Sequence, residues 1–173
     1  MHGERSVYSS PWVSLALVDV EVPGGPRFDH HVVRQARPAV GVVVHDAERG
    51  VLLLWRHRFI TATWGWEVPA GGVDADESSE QAAAREVLEE TGWEPGPLRE
   101  LHAYHPSNGL SDQRFELFAA ESARHVGDPS DPAESERVEW VPVTQVRELL
   151  RDGQVTDGLS LSALLWWLTF EQA

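Results

Sequence analysis

Residues 71–93, GGVDADESSEQAAAREVLEETGW, constrain this chain more than any other stretch, because both ends of a helix are written into them. Asp76, Ser78 and Ser79 are N-cap candidates, Glu77 and Glu80 suit the positive end, and residues 81–90 are mostly strong helix formers. Gly92 is the expected stop. At ~100° and ~1.5 Å per residue, Glu86 and Glu90 lie about 40° apart, with Glu89 about 60° to the other side. Three carboxylates therefore share one face, where like charges cost an isolated helix a few tenths of a kcal/mol per pair. A cation is expected to compensate them. With no cysteine in the chain and no evident histidine set, the donors are hard oxygens, suited to Mg²⁺ or Mn²⁺, ions used to hold and polarise phosphates. Taken alone, E-x-x-E-E reads most simply as a solvated acidic face.

The wider spacing changes that reading. Gly71 precedes Glu77 by six residues, Glu77 precedes Arg85 by eight, and Arg85-Glu86-Val87-Leu88-Glu89-Glu90-Thr91-Gly92-Trp93 follows. All nine defined positions of G-x5-E-x7-R-E-U-x-E-E-x-G-U, with U bulky and apolar, are filled. The chain resembles the Nudix hydrolases, with their box intact. The resemblance implies a pyrophosphatase that uses Mg²⁺, or alternatively Mn²⁺. Glu86, Glu89, Glu90 and the Ala70 carbonyl would hold the metal, and Gly71, Glu77 and Gly92 would keep the box in shape.

The 173 residues, 42% apolar, suffice for one domain with a real core, read as a Nudix domain over 1–173 with an N-terminal hairpin (1–37) and a catalytic core (38–173). A net charge of −14 repels polyanions, so a nucleic acid polymer is not an expected partner and a phosphorylated substrate needs a cation. Absence of cysteine excludes disulfides, thiolate metal sites and a cysteine nucleophile. No apolar run approaches the ~18 residues of a membrane span and no signal-like start is present, so a soluble cytoplasmic protein is expected.

Along the chain, residues 12–22 and 28–34 read as a hairpin around Pro23-Gly24-Gly25-Pro26. Residues 39–45, almost entirely apolar, read as a strand buried on both faces, paired with 51–55 at the centre of the sheet. Arg56 and Arg58 end that second strand, placed either to meet phosphate oxygens or to balance local acid. Glu67 is a candidate for a base edge or a solvated strand end, and Trp64 and Trp66 for base stacking or, more simply, packing. Strands follow at 98–104 and 113–120, a long loop at 121–133, then a strand at 138–141. A helix at 144–152 is expected with Thr144 as its cap, and a last one at about 160–170 with Leu161, Leu164, Leu165 and Leu168 as its apolar stripe. The adjacent pair His30-His31 points to opposite strand faces, and His102 and His105 have no partner at ligand spacing; none is read as a metal site.

Over about residues 12–170 the order of elements is similar to that of the ADP-ribose pyrophosphatase branch of the family. That implies an α/β fold, an α/β/α sandwich with a central mixed sheet and an N-terminal antiparallel hairpin, in an intertwined homodimer. It also implies hydrolysis of a nucleoside diphosphate linked to another moiety, ADP-ribose or a related nucleotide sugar, giving a nucleoside monophosphate and a sugar phosphate. In that branch a late acidic loop supplies the general base and a metal ligand, roles that fall here on Glu134 and Glu136. Arg85 is expected to orient the box carboxylates beside Glu89, and Arg56, Arg58, Glu67 and Gly109 are the candidates to face the substrate. The chain departs from the branch at Asn108, where proline is common before Gly109, and at Gln113, where Glu is common. Two other readings remain open: a nucleoside triphosphate pyrophosphohydrolase that cleanses the nucleotide pool, and a non-catalytic nucleotide-sugar sensor.

Overall fold

The computed structural model describes residues 1–130 and 135–172. It opens with a separate antiparallel sheet, β1 (Gly3–Ser9), β2 (Ser14–Glu21) and β3 (Arg27–Arg34). The expected hairpin is β2–β3, turned at Gly24 with φ +71°. The sequence reading had no β1. Its residues, GERSVYS, are mostly polar and exposed throughout, so no alternation marks them, and the ladder to β2 alone makes them a strand.

The main sheet follows the order β12-β5-β4-β10-β9. These strands are β4 (Ala39–Asp46), β5 (Gly50–Arg58), β9 (Arg99–Tyr104), β10 (Phe115–Ala120) and β12 (Arg137–Val141). Two shorter strands join it, β6 (Thr63–Glu67) on β5 and β7 (Ala70–Gly72) on β4. Because β10 runs parallel to β4 and the other pairings are antiparallel, the sheet is mixed. The central place of β4 and β5 agrees with their apolar runs. Helix α1 (Ser79–Thr91) covers one face, where Ala82, Ala83 and Val87 pack on Val40, Val42, Val44, Leu52 and Phe118. Helices α2 (Val143–Arg151) and α3 (Gly158–Phe170) cover the other, against Val43, Val51, Leu53 and Leu117. The result is the expected α/β/α layering.

Three local expectations need correction. The 121–133 stretch is not all loop, since β11 (Ala123–His125) pairs with β8 (Trp93–Pro95). Thr144 does not cap α2; Pro142 takes that position without a side-chain hydrogen bond. In α3 the buried face is Ser160, Ala163, Leu164, Trp167 and Leu168, with Leu165 exposed, because one residue of helix turns a side chain by ~100°. Trp167 is wholly buried, whereas Trp166 leaves the stripe to stack on His102 at 4.0 Å between ring centroids. Among the described residues no helix is long and apolar enough to cross a membrane.

Candidate active site

Helix α1 holds the site because its start is fixed. Ser78 accepts from the Gln81 N–H and the Gln81 side chain accepts from the Ser78 N–H, a complete capping box. At the other end Gly92 adopts φ +73° and its N–H returns to the Leu88 carbonyl. Between these ends Arg85 spreads a planar fork over the box. Its Nε and Nη2 donate to Glu77 at 3.1 and 2.8 Å, Nη1 donates to Glu86 at 2.8 Å and to Glu89 at 2.9 Å, and Nη2 reaches the Gly72 carbonyl at 3.0 Å. The Arg85 hydrogen bond, helped by the Asp74 N–H, holds the Glu77 carboxyl below its ordinary pKa. The cation demanded by like charges on one helical face is in part this guanidinium.

Gly71 is needed at its position. A Cβ there would lie 2.1 Å from the carboxyl carbon of Glu86, so only a glycine lets β7 pass under that carboxylate. Gly71→Ala is expected to push Glu86 aside and lower turnover about tenfold while the fold persists, since a ligand misplaced by 1 Å can cost this much or more. Steady-state kinetics beside a thermal melt checks it, and wild-type rates in a folded variant would refute it.

Glu90, 3% exposed, lies deeper. Its Oε1 accepts from Arg56 Nη1 at 2.8 Å and its Oε2 from the Ala70 N–H at 2.9 Å. Burial raises its pKa to about 7 and the charge of Glu86 adds to the rise, against the opposing pull of Arg56 and the Ala70 N–H. A chain of alternating charge continues outward. Arg56 lies 3.9 Å from Glu67, and Glu67 is gripped by Arg58 through Nε at 2.9 Å and through Nη2. Glu67, at 2% exposure, is therefore not a solvated strand end, and Arg56, at 5%, is a buried counter-ion of Glu90. Arg58 keeps 48% of its side chain in solvent, and the Glu67 hydrogen bond raises its pKa.

The remaining candidates separate. The Glu136 N–H donates to the Trp55 carbonyl at 2.9 Å, and the Ser130 N–H to the Glu89 carbonyl at 3.0 Å, so these two described residues are anchored to β5 and α1. Glu136 is exposed, and Glu134 lies outside the described residues. Gly109 sits in a loop that meets the N-terminal sheet. Its carbonyl meets His30 Nε2 at 2.9 Å, and the neighbouring Leu110 carbonyl accepts from the Val33 N–H, fastening this loop to β3. Trp66 is buried and serves packing, whereas Trp64 stacks on Trp55 with ring centroids 6.0 Å apart and stays 48% exposed. Sequence reasoning missed Thr156 and Asp157, which line a cavity beside Arg56 and Arg58; the one available signal, Asp157 before an apolar helix, reads only as a cap.

Among the described residues no three His, Cys, Asp or Glu side chains are gathered as a ready-made metal cluster. Glu86 and Glu89 accept from Arg85, and Glu90 from Arg56 and the Ala70 N–H. Their donor set is nonetheless all oxygen, seated on a glycine-lined floor, and it fits a hard divalent cation.

A family model described as NUDIX domain matches residues 35–161. This chain belongs to the Nudix family. Among relatives of this Nudix hydrolase, the CMP-5'-(N-acetyl-N-hydroxy-3-aminopropyl)phosphonate hydrolase of Streptomyces rubellomurinus (strain ATCC 31215) is 40% identical over 163 residues, covering 94% of the chain and 79% of the relative. The ADP-ribose pyrophosphatase of Bacillus subtilis (strain 168) is 27% identical over 163 residues, covering 93% and 88%. A solved structure of an ADP compounds hydrolase superposes with a TM-score of 0.83 at 22% identity, covering 98% of this chain and 94% of that one, and supports the fold.

Proposed function

We propose that the protein hydrolyses the phosphoanhydride of a nucleoside diphosphate linked to another moiety, ADP-ribose or a related nucleotide sugar, with Mg²⁺ as cofactor and Mn²⁺ as a substitute. The observation that carries this reading is the single guanidinium of Arg85 gathering Glu77, Glu86 and Glu89, with Glu86 laid over Gly71. Glu86, Glu89, Glu90, Glu136 and the Ala70 carbonyl would hold the metal, which when bound neutralises charge developing on the phosphate oxygens. Arg58, half in solvent at the end of β5, meets the phosphate of the bound substrate. Water attacks one phosphorus, the bridging P–O bond breaks, and a carboxylate of the late loop, Glu134 or Glu136, accepts the proton of the water. The products are a nucleoside monophosphate and a sugar phosphate.

A second reading has its own support. The relative at 40% identity is named for a CMP-linked phosphonate, so a nucleoside monophosphate joined to a phosphonate is an alternative substrate of the same chemistry. Homodimer formation through the N-terminal sheet belongs to the proposal too, since β1 is exposed throughout and Val7, Tyr8 and Phe28 are uncovered.

The test is a Mg²⁺-dependent screen of ADP-ribose, GDP-mannose, a CMP-linked phosphonate, dinucleotides and nucleoside triphosphates, with products separated by chromatography. Release of a nucleoside monophosphate from a diphosphate-linked compound is expected. Turnover of triphosphates alone would move the protein to pool cleansing, and tight binding without product would make it a sensor.

A further inference from the structure

A cavity of about 810 Å³ opens between the end of the β5–β6 hairpin and the start of α3, lined by Arg56, Arg58, Phe59, Thr63, Thr156 and Asp157 among others. It shares Arg56 with the acidic site, because the same guanidinium holds Glu90. The wall on the α3 side is fixed. The Trp66 N–H donates to the Gln154 carbonyl at 2.9 Å, and a Cβ on Gly65 would lie 3.1 Å from Thr156 Oγ1, so residues 154–156 lie close along β6.

The lining of the cavity carries both signs of charge. Arg58 spends Nε and Nη2 on Glu67, and its Nη1 makes no hydrogen bond among the described residues. Asp157 caps α3 by accepting from the Ser160 N–H through Oδ2 at 2.8 Å, which leaves Oδ1 as an acceptor. The two groups feel each other, since the charge of Asp157 helps to raise the pKa of Arg58. Thr61, Thr63 and Thr156 also line the cavity, and Phe59 and Ile60 on its lining are apolar and exposed.

We propose that this cavity receives the half of the substrate that leaves with its own phosphate, and that Asp157 selects there for an uncharged moiety carrying a hydroxyl donor against one carrying a second anion. The inference rests on the hydrolase reading above and names the substrate class for that site. The phosphate or phosphonate end meets Arg58, while the far end donates a hydroxyl, as a neutral sugar does, to Asp157 Oδ1. A carboxylate at that far end faces a fixed like charge, a penalty that pockets use for discrimination.

The experiment compares UDP-glucose with UDP-glucuronate, which differ only at C6 of the sugar, a hydroxymethyl donor in one and a carboxylate in the other, on wild type, Asp157→Asn and Asp157→Ser. Asparagine and serine cap helices about as well as aspartate, so α3 keeps its start in both variants. Wild type is expected to favour the neutral compound at least about tenfold in kcat/KM, a factor that one partly screened charge pair supplies. In both variants that ratio falls toward one, as KM for UDP-glucose rises and KM for UDP-glucuronate falls. A role in capping alone would shift the melting temperature and leave the ratio where it was, and that result overturns the inference. Binding of glucose 1-phosphate and glucuronate 1-phosphate, followed by saturation-transfer NMR, reads the same selectivity without turnover. Selective binding without hydrolysis would keep the cavity assignment and reject the hydrolase reading; hydrolysis without selectivity would do the reverse.

Discussion

Glu90→Gln is expected to lower turnover by at least about a thousandfold, on the order of 4 kcal/mol of transition-state stabilisation, while the protein stays folded. The amide keeps the shape and one acceptor oxygen but removes the charge that a metal would use. A second effect of the same substitution is independent of substrate. The folded-state pKa of Glu90 is raised to about 7 from an ordinary value of 4.5. Below the lower value both folded and unfolded chains hold the proton. Between the two the unfolded chain gives it up first, so metal-free stability falls as pH rises, by roughly 3 kcal/mol in all, and levels off above about 7. Other groups titrate in that window as well, but the difference between wild type and Glu90→Gln isolates this one. Urea denaturation of metal-free protein from pH 4 to 8 should show the decline in wild type and a flatter profile in the variant. Because metal binding must displace the same proton, the apparent Mg²⁺ affinity should weaken as pH drops below about 7. Near-normal turnover in the variant would remove Glu90 from the metal set, and parallel stability profiles would show that its proton is not held as the burial implies.

Much of this was legible in the chain, and for a physical reason. A helix declares itself locally, so Ser78, the acidic face and Gly92 placed α1 almost to the residue. The apolar run in β4 likewise stated its own burial on both faces. What could not be read were contacts set by register. Arg56 could be expected to balance some local acid, but only the pairing of Leu54 with Glu67 and Arg56 with Gly65 shows that the acids are Glu67, eleven residues on, and Glu90. Nothing around Asp157 in the sequence points to the cavity it lines, whose wall forms because residues 154–156 lie along β6. Strand β1 carries no pattern of its own and depends on β2 for its conformation. The hydrogen bond from the Gly109 carbonyl to His30 on the N-terminal sheet is another contact that no local pattern announces.

Arg85→Lys is the sharper test of how the box works, because it keeps the charge and changes only the geometry. The guanidinium satisfies five hydrogen bonds to Glu77, Glu86, Glu89 and the Gly72 carbonyl, from atoms set in one plane. An ammonium has three donors on one atom and cannot span that set, so Glu86 and Glu89 lose their common anchor. Turnover should fall about a hundredfold, in the range found when groups that orient metal-binding carboxylates are removed. The signature matters more than the size. If Arg85 positions carboxylates, the Mg²⁺ concentration for half-maximal rate rises while KM for the nucleotide at saturating Mg²⁺ stays near the wild-type value. Glu77→Gln should then move the same parameter in the same direction by less, since it loosens Arg85 from the far side without touching Glu86 or Glu89. If Arg85 instead touches substrate, the nucleotide KM carries the loss, Mg²⁺ dependence is unchanged, and Glu77→Gln is nearly silent. Those two patterns cannot be confused, because the metal and the nucleotide are titrated separately.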